Sequence, residues 1–317
     1  MKAYVATGWQ VGRRTIAAMT IPLWIAATLV AAAAQTARNA TQRHLTELLG
    51  TVGATQVRFL YGLPFALVFL PLVLALTGED FPRLDTEFLV FALLGAVTQI
   101  TATALMLAAM RSRSFSLVTA YTKTEPVQVA VFGLVVLGDP LTLWIAAAVV
   151  VATSGVILTS VKPAGVADAG PGARPVLLGL AAGAFFALAA TSFRGATLAL
   201  EPASFLVRAT TTLVSGLAIQ TVLLVTWLLA FNRPALVGSL AHWRSSLLAG
   251  CLGALASQFW YIGFALTSAA NVRTLGLVEV PMAYGAAYAM FGQMPSGREL
   301  AGMALIVIGV ALLLLFQ

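Results

Sequence analysis

Apolar runs long enough to cross a bilayer recur along the whole chain, separated by short polar breaks. About 20 consecutive apolar residues make one transmembrane helix. Hydropathy and helix breakers predict ten such spans, near residues 17–37, 52–77, 88–110, 114–138, 142–161, 176–194, 203–231, 245–268, 271–293 and 299–316. The most linker-like segment lies at the midpoint, from Lys162-Pro163 to Arg174-Pro175, with Gly165, Gly170 and Gly172 inside it. Residues 1–161 therefore read as one five-helix unit, 162–175 as a linker and 176–317 as a second five-helix unit. Arg13-Arg14 before the first run superficially resembles a signal peptide, but the run from Ala17 to Ala37 is longer than a signal core and further spans follow it.

Composition narrows the class. Of 317 residues, 60% are hydrophobic and only 9% charged, against about 25% charged in soluble domains. Mean hydropathy is +0.95, which excludes an ordinary soluble enzyme. The single cysteine, Cys251, cannot form an intrachain disulfide, and His44 and His242 fall in expected loops without zinc-site spacing. No phosphate-binding loop occurs, so ATP-driven pumping within this chain is excluded and no cofactor is expected. The net charge of +7 is scattered singly through loops and span ends; it fits an anionic membrane surface and not nucleic acid.

Five spans on each side of the break suggest a repeat. Leu94-Gly95-Ala96 reappears as Leu252-Gly253-Ala254, Val57-Arg58 as Val207-Arg208, and Glu125-Pro126 is echoed by Glu279-Val280-Pro281. Because five is odd, the second unit must enter the bilayer from the opposite face. The predicted fold is an all-α polytopic membrane protein of ten transmembrane helices in two inverted five-helix repeats. That architecture is typical of secondary transporters, with the substrate site near the midplane.

These residues resemble the EamA-type branch of the drug/metabolite transporter superfamily. Leu23-Trp24 opens the first span, Arg58-Phe59 lies early in the second, and the fourth runs from Glu125-Pro126-Val127 to Leu137-Gly138-Asp139-Pro140. The family usually has Leu-Gly-Glu at the last position, so Asp139 is a shortened variant, and Gly292-Gln293 loses the charge in the second half. The resemblance spans about residues 17–316. It implies two five-helix repeats, transport of metabolites, most commonly export of amino acids, and both termini in the cytoplasm. Counting Lys and Arg gives six on the N-terminal side and nine opposite, a slight lean the other way.

An ionisable side chain at membrane depth costs about 3 kcal/mol on insertion scales and marks function by default. Arg58, Lys123, Glu125, Arg208 and Glu279 are expected there, with Arg194 and Arg273 nearer span ends. One reading pairs Glu125 with Arg58 and Glu279 with Arg208, for charge neutrality or coupling. Another has Lys123 or Glu125 contact substrate. In a continuous helix, Lys123 and Glu125 stand about 200° apart and cannot share a cavity. Lys123 has the apolar Val278 as its counterpart in the second half, an asymmetry that favours specificity. Tyr121 shares the Glu125 face. Trp24, Tyr261 and Tyr284 are further substrate-contact candidates within spans. Pro126 and Pro281 each free a carbonyl four residues earlier and are candidate hinges, static or gating. Gly179-x-x-x-Gly183 is a helix-packing motif expected to act inside a monomer.

The expected function is secondary transport of a small polar or amphipathic metabolite, an amino acid or related compound, by alternating access in a bacterial-type inner membrane. Proton coupling would use Glu125 or Glu279. The alternative is an exporter of lipophilic cations using a membrane-embedded glutamate. A membrane enzyme is not expected, since no aspartate or histidine lies at membrane depth.

Overall fold

The apolar runs fold as helices. A computed structural model describes residues 22–110, 118, 121–160, 174–292 and 294–316. Arg13-Arg14, most of the expected linker, and Gln293 lie outside the described residues. The helices are α1 (Leu23–Leu60), α2 (Leu63–Thr77), α3 (Thr86–Met110), α4 (Glu125–Phe132), α5 (Leu143–Ser160), α6 (Arg174–Ala199), α7 (Phe205–Phe231), α8 (Arg233–Ala241), α9 (Trp243–Leu266), α10 (Ala269–Leu275), α11 (Glu279–Phe291) and α12 (Gly297–Phe316). A π-helical turn, Gly133–Leu137, extends α4, and a 3-10 turn, Gly276–Val278, joins α10 to α11.

Seven segments among the described residues are helical, long and apolar enough to cross a membrane. The chain is thus an all-helical polytopic membrane protein. Three expected spans are missing from those seven, each for its own reason. The first is described only from residue 22 and merges into α1. The fourth and ninth are interrupted, in the turn at Lys123-Thr124 and in the 3-10 turn.

Helix α1 runs through residues 38–51, which the sequence reading left between two spans, and it carries His44 with it. Yet α1 is not straight. A β-carbon placed on Gly253 would meet Arg38 Cδ and Arg58 Cγ, both at 3.5 Å. Twenty residues of straight helix rise about 30 Å, so the chain folds back between these arginines. Spans one and two are therefore separate passes within one helical element.

Small residues set the spacing between helices. On α5 and α12, a β-carbon on Gly155 would lie 2.5 Å from the Gly302 carbonyl oxygen, and one on Gly302 would lie 2.7 Å from that of Gly155. On α6, a β-carbon on Gly179 would meet Tyr121 Cβ at 2.7 Å, and one on Gly183 would meet the Thr122 carbonyl at 3.1 Å. The Gly179/Gly183 motif thus seats the broken fourth span within the chain. Gly95 of α3 receives the Phe193 ring of α6, and its counterpart Gly253 of α9 receives Arg38 of α1.

Contacts between turns tie the bundle at its ends. Glu79 Oε2 accepts the Ser204 N–H at 2.9 Å. Gln56 donates to the Ser239 hydroxyl at 2.6 Å, and the Tyr61 hydroxyl donates to the Ser239 carbonyl at 2.9 Å.

Candidate functional site

The two interrupted spans meet, and their breaks frame a cavity. Pro126 has no N–H to donate to the Thr122 carbonyl, and the chain turns at Lys123-Thr124. Tight bonds from Thr124 N to Tyr121 O (3.3 Å) and from Val127 N to Thr124 O (3.2 Å) close that turn. Helix α4 restarts at Glu125. In the ninth span Pro281 frees the Leu277 carbonyl, the backbone tightens over Gly276–Val278, and α11 restarts at Glu279. Each restarted helix carries a glutamate in its first turn, where the helix dipole favours negative charge.

The cavity is small and is lined by Gln35, Lys123, Glu125, Pro126, Trp260, Arg273, Gly276, Leu277 and Glu279. Two ion pairs cross it. Lys123 Nζ binds Glu279 Oε1. Arg273 binds Glu125 Oε1 through Nη2 at 2.5 Å and Nε at 2.7 Å. Gln35 fixes the rest: its amide N–H donates to Glu279 Oε2 at 2.5 Å, and its carbonyl accepts the Trp260 indole N–H at 3.2 Å. The Arg273 guanidinium lies over the Trp260 ring, 5.0 Å from its centroid, a cation–π contact. Gly276 makes room for that ring, since a β-carbon there would sit 2.4 Å from Trp260 Cη2. Arg38 and Arg58 meet at Gly253, and Arg38 acts electrostatically on Lys123 and Arg273.

Several expectations need correction. Lys123 and Glu125 line one cavity, because the helix that would separate them is broken between them. Glu125 pairs with Arg273 and not Arg58, whose guanidinium lies 5.3 Å from the Phe59 ring centroid. Glu279 pairs with Lys123 and not Arg208. Arg208 belongs to the first turn of α7, which Ser204 caps, and binds the 62% exposed Glu201 at 2.5 Å. It therefore sits at a span end. Arg273, expected near a span end, is at the centre, because α10 has only seven residues before the break.

Three substrate-contact candidates, Tyr121, Trp24 and Tyr284, pack away from the cavity, and Tyr261 stands within electrostatic reach of Arg58 and Arg273. Tyr121 is against Gly179. Trp24 is in the core, its carbonyl accepting the Thr28 hydroxyl at 2.7 Å. The Tyr261 ring packs at a tilt against Phe193, centroids 5.0 Å apart. Tyr284 donates to Glu299 at 2.8 Å. Sequence reasoning missed Gln35, whose only signal was a polar residue inside an alanine run, and Trp260, a mid-span aromatic.

A helical bundle with two interrupted spans and charges at the breaks is an arrangement typical of membrane transport proteins. Residues 21–161 match the EamA-like transporter family, a family of the drug/metabolite transporter superfamily, and the resemblance drawn from the motifs stands. Residues 21–161, a little under half of the chain, thus carry an EamA-like transporter unit. No curated protein sequence matches the chain. A crystal structure described only as that of a protein is similar over 92% of this chain and 94% of its own, with a TM-score of 0.67 and 17% identity. That likeness concerns the fold alone, and it extends across both halves.

Proposed function

We propose that the protein is a secondary transporter of a small polar or amphipathic metabolite, an amino acid or related compound, working by alternating access. Its ten spans form two inverted five-helix repeats in an inner membrane, with both termini cytoplasmic. The observation that carries this reading is the crossed pair of ion pairs, Lys123–Glu279 and Glu125–Arg273, each joining one half to the other. A solute with a carboxylate or an ammonium group must displace at least one of them. Displacement loosens the contact between the halves, which gives binding the differential affinity that a change of access requires.

The charge of the site favours a metabolite over a lipophilic cation. Each glutamate is already held by a cation of the cavity, Glu279 by Lys123 and Glu125 by Arg273. A cationic drug would have to detach a glutamate and then lie among those cations.

Purified protein in proteoliposomes tests the reading with a panel of radiolabelled amino acids. Lys123→Met and Arg273→Met should each cut uptake at least about tenfold, the loss of a charge-assisted contact of ~1.5–3 kcal/mol. Uptake that both variants leave intact would sink it. Resistance of cells to lipophilic cations, lost in Glu125→Gln, would install the alternative.

A further inference from the structure

About 20 Å along the fourth span from Glu125, a second charged cluster ties together three helix ends. Gly138 takes a left-handed conformation (φ 68°) that ends the π-helical turn, and the Asp139 N–H donates to the Gly133 carbonyl at 3.0 Å. That turn aims the buried Asp139 carboxylate at Arg194 of α6. Arg194 Nε donates to Oδ1 at 3.1 Å and Oδ2 at 2.9 Å, and Nη2 donates to Oδ1 at 2.7 Å. Its Nη1 reaches the end of α9, donating to the Phe264 carbonyl at 2.6 Å and to that of Thr267. One guanidinium thus spans the ends of the fourth, sixth and eighth passes. The fourth pass cannot leave the sixth without breaking the Asp139 bonds, nor the eighth without breaking the two carbonyl bonds, and bidentate arginine–carboxylate pairs are among the stronger polar contacts.

The equivalent place in the second half differs in chemistry. Helix α11 also ends at a left-handed glycine, Gly292 (φ 64°). The residue after it is Gln293 where the first half has Asp139. Gln293 carries no charge, so an ion pair of this kind cannot form there. In an inverted repeat that position lies at the opposite membrane face.

We infer that Asp139–Arg194 is a one-sided latch, which closes the pathway at the face carrying the α2–α3 loop and sets which way the empty protein rests. The inference rests on the transporter reading above. Arg194 acts here as a positioning residue, far from the substrate cavity.

The test is side-specific labelling of Leu277→Cys, a cavity-lining position, in the full chain with Cys251→Ser. A membrane-impermeant maleimide is applied to right-side-out and inside-out vesicles. Asp139→Asn should raise the labelling rate from the α2–α3 face about tenfold, a coupling of ordinary allosteric size. Asp139→Glu, which keeps the charge, should stay near the parent. The double variant Asp139→Asn/Arg194→Gln, which leaves no stranded guanidinium, should label as fast as Asp139→Asn. Equal rates from that face in parent and double variant, with unchanged monodisperse elution and thermal midpoint, would reduce the pair to a structural tie and overturn the latch. A cysteine reached from neither face in any variant would overturn the transport cavity, and the latch with it.

Discussion

Glu125 and Glu279 look alike in the sequence, each just ahead of a proline, but their oxygens are used differently. Glu279 accepts from Lys123 on one oxygen and from Gln35 on the other, so donors hold both oxygens. Glu125 takes both Arg273 contacts on Oε1, and among the described residues no donor reaches Oε2. A transported proton would therefore enter on Glu125. The charged groups facing it are Lys123 beside the break, Arg273 from α10, Glu279 from α11, and Arg38 and Arg58 from α1. Helix α5 has none, and the mid-membrane face of α6 adds none, because Arg194 is engaged with Asp139. Protonation would weaken the hold of Glu125 on Arg273 and free that cation for a substrate carboxylate. Glu125→Gln should then abolish the dependence of uptake on an imposed pH gradient while gradient-free exchange continues, and Glu279→Gln should keep the dependence. Wild-type uptake indifferent to the gradient would exclude coupling. The cost of stranding a charge is a separate matter. Lys123→Met leaves Glu279 buried without its cation and should lower stability by about 3–5 kcal/mol, whereas Lys123→Met/Glu279→Gln should recover most of that in a thermal melt. Lys123, Glu125, Pro126 and Glu279 were legible in the sequence because charge and proline are conspicuous in an apolar run. The partners were not, since pairing across 148 residues, as between Glu125 and Arg273, depends on which helix faces meet.

Single-helix geometry explains both what was legible in the elements and what was missed. Hydropathy located the passes because each must satisfy its own backbone in lipid. It could not foresee that a proline breaks the helix instead of bending it. The fourth span breaks because Gly183 of α6 lets the freed Thr122 carbonyl approach closely, and that glycine lies in a different helix. A close glycine contact also fixes the α5–α12 pair, where each glycine faces the backbone oxygen of the other. Neither oxygen can move aside as a side chain could. Gly302→Val should therefore push α12 away from α5 and cost about 1–3 kcal/mol as overpacking, read as a lowered thermal midpoint in detergent. Gly285, with nothing near its β-carbon position, provides the control: Gly285→Ala should leave the midpoint within error or raise it slightly. Equal effects at the two sites would count against close packing as the role of Gly302.

At the scale of the whole molecule, the proposed count of ten passes assigns each contact between turns to a membrane face. Glu79 follows the second pass and Ser204 precedes the seventh, so both belong to the face carrying the N-terminal end of the first pass. Asp139, Arg194 and Thr267 end the fourth, sixth and eighth passes and fall on that same face. Gln56 and Ser239 belong to the other. Two of these contacts, Glu79–Ser204 and Gln56–Ser239, bracket the broken fourth span and favour a count in which it crosses. Ser204, through its hydroxyl and its N–H, holds the Glu79 carboxyl below its ordinary range, so this tie is present at neutral pH and is lost as pH falls through the carboxylate range. The count itself has a direct measurement. Between Asp80 and His242, both exposed, lie passes three to seven, an odd number. In a Cys251→Ser background, Asp80→Cys and His242→Cys should therefore react with an impermeant maleimide from opposite faces, Asp80→Cys from the cytoplasm. If the fourth span merely dipped into the membrane and returned, four crossings would remain and both cysteines would react from the same face. That result would remove the inversion between the halves, and with it the reason for two glutamates, each at the head of a broken helix, to meet in one cavity.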